Sequence, residues 1–206
     1  MIKAGLKLTS KGLNLLLPLD SHGVREALRK EVALVAHGQL GYVEATGNRT
    51  QYGKDYGLDG FPWCAMYVTW VYKQAAKNVG CVNPLPKYAH VTSSFERFKK
   101  LGMVIGENEQ LLQGDLTMWD HDEKPGGPGH TGVIIEVHNS PPLNPYAFGQ
   151  SLIISEGNTS RTDKSSRNGG EVCEHAHRKN DHHHGRLLGI VRPTRRLYFP
   201  LHTPGV

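Results

Sequence analysis

Cys64 is the residue in this sequence best placed for covalent chemistry. It lies in Phe61-Pro62-Trp63-Cys64-Ala65-Met66, at the start of the chain's clearest helical pattern. Unpaired N–H groups and the helix dipole stabilise an anion there. The position is therefore expected to lower the thiol pKa and raise the fraction of thiolate, the reactive form. Position alone fits a buried structural cysteine equally well. Cys81 and Cys173 have no such setting and read as structural. Three cysteines leave at least one unpaired in a monomer, so a disulfide-stapled fold is not expected.

A cysteine nucleophile needs an imidazole beside it and a polar group to orient that imidazole. The chain has 12 histidines, so a histidine by itself says little. His130 stands out because Gly129-His130-Thr131-Gly132-Val133-Ile134 opens a strongly apolar strand. The flanking glycines let a helix or a substrate come close. Glu156 ends the next apolar run, Ile153-Ile154-Ser155-Glu156-Gly157-Asn158. If the two runs pair as a hairpin, the end of one meets the start of the other, and Glu156 falls beside His130. Taken alone, Glu156 would read as a solvated charge at a strand end.

These residues need elements to hold them. Residues 22–38 carry Val24, Ala27, Leu28, Glu31, Val32 and Val35 near one helical face, with Ser21 as N-cap. Residues 63–79 carry Ala65, Val68, Val71, Tyr72, Ala75 and Val79 as a stripe, between Pro62 and Gly80. A shorter helix is expected over 93–101. Residues 47–60 read as a glycine-rich loop. Beyond them the period falls to two, and strands are expected at 116–119, 131–137, 152–155 and 187–191. Helices first and strands later predict an α+β fold, with N-terminal helices packed on an antiparallel sheet. Residues 6–17 alternate weakly and suggest a hairpin in an N-terminal extension, 1–20. Residues 21–206 then form a single catalytic domain.

The length suits one domain, and the composition suits a folded globular chain. A net charge of +5 favours anionic partners. No run of basic residues interleaved with aromatics points to nucleic acid. No apolar stretch approaches the ~20 residues of a membrane span. Leu13-Asn14-Leu15-Leu16-Leu17 is too short and interrupted to read as a secretory signal.

The ordered set Trp63-Cys64-Ala65, Gly114-Asp115-Leu116, Gly129-His130-Thr131-Gly132-Val133 and Glu156-Gly157-Asn158 resembles the CHAP family, the cysteine- and histidine-dependent amidohydrolases and peptidases. Upstream, Asn48-Arg49-Thr50-Gln51-Tyr52-Gly53 is similar to the stretch before the nucleophile in many members, and the likeness runs from about residue 24 to Pro193. The resemblance implies a papain-like fold and an acyl-enzyme mechanism. Cys64 would be the nucleophile, His130 its base and Glu156 the orienting group, with Asn158 as a fourth polar residue. By analogy with NlpC-like hydrolases, Tyr52 would help hold the oxyanion, although loop packing explains it as well. Trp63 is a candidate substrate contact.

The implied substrate is bacterial peptidoglycan, cut as an amidase or an endopeptidase cuts it. Basic charge would draw the protein to anionic wall polymers. The expected protein is a monomer of the phage-lysin type, made in the cytoplasm and reaching the wall after lysis or within a virion. A cytoplasmic amidase on small peptide conjugates and a virion structural or wall-binding module are the alternatives. Asp55 and Asp59 are too few for a calcium cage, so no metal and no cofactor are expected. No separate wall-binding domain is expected after Pro193. His175, His177 and His182 to His184 cluster near Cys173 without the spacing of a zinc site, and 175–184 reads as a flexible polar loop.

Overall fold

A computed structural model describes residues 19, 21–121, 127–138, 151–160, 169–178 and 185–195. The expected hairpin at 6–17 and His182 to His184 lie outside these residues. Four helices precede five strands: α1 His22–His37, α2 Gln51–Tyr56, α3 Cys64–Val79, α4 Val91–Lys100, β1 Leu116–Asp120, β2 Gly129–His138, β3 Ser151–Thr159, β4 Glu171–Arg178 and β5 Arg186–Val191. The strands form one sheet in the order β4-β3-β2-β1-β5, and every pairing is antiparallel. The α+β class read from the change of period is the architecture found.

Local chemistry sets the helix ends. Ser21 caps α1 by accepting the Val24 N–H at 3.2 Å. Gly80 ends α3 at φ 72, a conformation that an L side chain resists. α3 buries Ala65, Val68, Val71, Tyr72 and Ala75 along the expected stripe. Leu28 and Val32 of α1 meet it in the larger core, together with Met118, Val133 and Ile135 of the sheet. The opposite face of the sheet carries a second core of Trp119, Ile134, Leu152, Ile154 and Ile190.

Two elements depart from the sequence reading. The loop read at 47–60 contains α2, whose N-cap Thr50 accepts the Gly53 N–H at 2.8 Å. Six residues with one buried aromatic are too short to show a helical period. The polar loop read from His175 is, over its first part, strand β4. Its backbone pairs with β3 from Ser151↔Arg178 to Thr159↔Glu171. Histidines made that strand look solvated, yet His177 is buried.

The start of β1 is pinned to the end of β5. Asp115 is fully buried and accepts from Arg192 Nε at 2.9 Å, Arg192 Nη2 at 2.8 Å and the Leu112 N–H at 2.9 Å. A two-pronged contact of this kind fixes register as well as charge. Removing the carboxylate leaves a largely buried guanidinium whose remaining acidic partner among the described residues is Glu109, at 3.6 Å. Asp115→Ala should cost about 3 kcal/mol, read as a lower midpoint of urea unfolding with an unchanged slope.

Candidate active site

The geometry of α3 puts Cys64 at its first position, with Trp63 as N-cap and no side chain capping the turn. The first N–H groups of the helix are thus left for another acceptor. The N–H groups of Cys64 and Ala65, with that of Thr131 on β2, lie near the Cys64 sulfur and favour its charged form. Thr131 directly follows His130, so the sulfur lies near the start of β2, one residue along the strand from the histidine.

Strand geometry explains why Thr131 is available. Ile134 donates its N–H to Asp115, on the β1 side. N–H direction alternates along a strand, so Thr131 donates on the other side, towards β3. The β2–β3 ladder begins only at Gly132↔Glu156, and β3 is irregular between Glu156 and Thr159. The first turn of α3 fills this opening. A Cβ on Gly157 would stand 2.6 Å from Trp63 Cζ3 and 2.8 Å from Tyr67 Cβ, so only glycine lets the helix come this close.

The expectation of a lowered thiol pKa is corrected here. Burial of the sulfur outweighs its three N–H partners, and nearby Glu156 adds to the effect. Together they push the thiol from 9.0 up to about 11. Cys64 therefore rests as a thiol at neutral pH. Iodoacetamide alkylation of Cys64 should rise steadily from pH 7 to pH 10 without a neutral plateau; a plateau would reveal a stable thiolate–imidazolium pair. The stability effect has a definite sign. The unfolded chain loses this proton near 9.0 and the folded chain near 11, so stability falls as pH rises through that window.

His130 and Glu156 meet as their strand positions suggested. His130 Nε2 lies 2.9 Å from Glu156 Oε2, with side-chain exposures of 1% and 0%. Glu156 is thus a buried charge in contact, not a solvated strand end. An ionised carboxylate can only accept, so Nε2 carries a proton, and in the neutral ring Nδ1 then holds the lone pair. Trp119 stacks on the His130 ring at 6.0 Å between centroids, with 30° between the planes.

His177 is the site residue that sequence reasoning missed. Its Nε2 lies 3.0 Å from the other oxygen of Glu156, Oε1. In the ladder His177 stands opposite Leu152, four residues along β3 from Glu156, which in a flat sheet is too far for contact. The ring contacts resolve this. Trp119 of β1 and His177 of β4 have centroids 5.7 Å apart, although β2 and β3 lie between their strands. Flat strands would hold them ~14 Å apart. The sheet therefore curls about this face and gathers its inward side chains.

The remaining candidates divide. Asn158 is buried at φ 60, directly after the Gly157 crossing, and its Oδ1 has no hydrogen-bond partner. Asparagine adopts this left-handed conformation more readily than other non-glycine residues. Tyr52 is buried among Tyr42, Trp63, Tyr67 and Trp70, and its hydroxyl donates to Gln39 Oε1 at 3.0 Å. Its proton points to Gln39 and its ring lies in the aromatic cluster, the arrangement that the packing reading describes. Trp63 is fully buried and donates from Nε1 to Glu44 Oε2 at 2.6 Å. It supports the start of α3 and offers no face to a substrate.

Among the described residues, no group of three or more His, Cys, Asp and Glu side chains is arranged to hold a metal ion. No helix among them is long and apolar enough to cross a membrane. Comparison of the chain with protein-family models, curated proteins and solved structures found no match in any of the three.

Proposed function

We propose that this chain is a cysteine amide hydrolase of the papain-like CHAP type that cleaves peptidoglycan. One observation carries the reading. A buried histidine, oriented by a buried glutamate through one nitrogen, occupies the strand position next to Thr131, whose N–H lies near the cysteine sulfur, and the charge of that glutamate reaches the sulfur too. A structural cysteine does not require that constellation.

In this reading His130 Nδ1 takes the thiol proton as the sulfur attacks an amide carbonyl carbon. The C–S bond forms and the carbonyl electrons move to oxygen. N–H groups at the start of α3 stabilise the oxyanion. The oxyanion collapses, the C–N bond breaks, and His130 returns its proton to the departing amine. Water, deprotonated by His130, then attacks the thioester and regenerates the thiol. A resting thiol fits this sequence, because the proton moves only as the new bond forms. Glu156 holds the imidazole in the required tautomer and stabilises its charged form.

The substrate class rests on the family resemblance and on the basic surface charge, which suits an anionic wall. The test is digestion of purified peptidoglycan, with fragments identified by mass spectrometry. New amino termini within the stem peptide or cross-bridge would mark an endopeptidase. Free lactyl groups on the sugar would mark an amidase. No fragments from several wall types would overturn the peptidoglycan assignment.

A further inference from the structure

We propose that His177 is a positioning residue for this reaction: by donating from Nε2 to Oε1 of Glu156, it holds the carboxylate so that Oε2 serves His130. The proposal rests on the reading of Cys64, His130 and Glu156 given above, and it adds a fourth member from β4.

The physical need is plain. A glutamate ends in a soft torsion with broad rotational freedom. One hydrogen bond to His130 would leave the carboxylate able to pivot. A second bond, 3.0 Å long and on the opposite oxygen, removes that freedom. His177 is itself well held. Its backbone pairs with β3, its ring lies 5.7 Å from Trp119, and the His175 ring meets it edge-on at 6.1 Å. The same Trp119 stacks on His130, so one indole seats both imidazoles that share the carboxylate.

The second bond also divides charge. Glu156 accepts from two N–H groups, so His130 feels a carboxylate partly neutralised by His177. Losing His177 should concentrate that charge on His130 and favour its imidazolium form. Among the described residues, the other titratable groups near this carboxylate and its two rings include Cys64 from α3, Cys173 opposite Glu156 on β4, His121 after β1 at 6.0 Å from the His130 ring, and His175 beside His177. None of them bridges the two oxygens in the way His177 does.

The test uses the full chain and three forms: wild type, His177→Phe and His177→Gln. Phenylalanine keeps a ring against Trp119 but removes the donor; glutamine supplies an amide donor. Peptidoglycan hydrolysis gives kcat and KM against pH, and NMR gives the His130 ring titration without any need for turnover. The phenylalanine form should lose roughly 10–100-fold in kcat with KM unchanged, as for other residues that orient a reacting group. Its acid limb and its His130 titration should both move to higher pH. Glutamine should restore most of the loss. If the phenylalanine form does not fold, His177→Asn, polar but too short to reach Oε1, takes its place.

Wild-type kcat and an unmoved titration in the donor-less form would overturn the proposal. So would equal losses in the donor-less and glutamine forms with a common fall in Tm, since that is packing alone. The two readings fail separately. If the wild type cuts no wall while the titration still shifts, the peptidoglycan assignment fails and the hold of His177 on Glu156 stands. If Cys64-dependent cleavage is intact and the titration does not move, the positioning fails alone.

Discussion

Cys64→Ala should abolish peptidoglycan cleavage, with a fall in rate of at least ~10⁴-fold. The size follows from the chemistry. Without the sulfur no acyl-enzyme forms, and His130 and Glu156 have no nucleophile to serve. The fold should survive. Cys64 lies at the edge of the core with 6% exposure, and alanine fits the same helical position. Loss of one sulfur atom's contacts should cost about 1 kcal/mol, so near-native circular dichroism and Tm should accompany the lost activity. A wall-binding module would behave differently: its binding would be the only activity to measure, and the substitution would leave that unchanged.

Glu156→Gln should carry the second-largest effect, roughly 10²–10⁴-fold in kcat. The carboxylate accepts from both histidines, at 2.9 Å and 3.0 Å. An amide has one acceptor and one donor, so only one of those contacts can persist as it stands. If the amide nitrogen turns to His130, that ring must accept through Nε2. Its proton then sits on Nδ1, where a base is required to be bare. If the amide turns the other way, His177 loses its acceptor and the negative charge that would balance the imidazolium is still gone. Steady-state kinetics beside NMR of the ring nitrogens would separate these cases. Unchanged kcat would show that Glu156 is structural.

Much of this arrangement is legible in the sequence, and the reason is local physics. The stripe of α3 and the caps of α1 are written in neighbouring residues, so helical period finds them. His130 and Glu156 could be paired because each stands at an end of adjacent apolar strands, and antiparallel pairing brings such ends together. Trp63 reads as a substrate contact because it adjoins Cys64, and Tyr52 reaches the oxyanion only by analogy, with loop packing an equal reading. Their burial in one aromatic cluster depends on the return of α2 against α3, which no local pattern records. His177 was out of reach for a deeper reason. Its contact crosses four residues of ladder and exists only because the sheet curls. The thiol was misjudged because a helix start is a local feature, whereas desolvation is set by the whole fold.

The most direct measurement is to mix the protein with a soluble peptidoglycan fragment, quench in acid within the first turnovers, and map the modified peptide by mass spectrometry. The account predicts an acyl group on Cys64, none on the Cys64→Ala protein, and turnover that a chelator does not affect. Cleavage that persists in Cys64→Ala and stops with a chelator would contradict it.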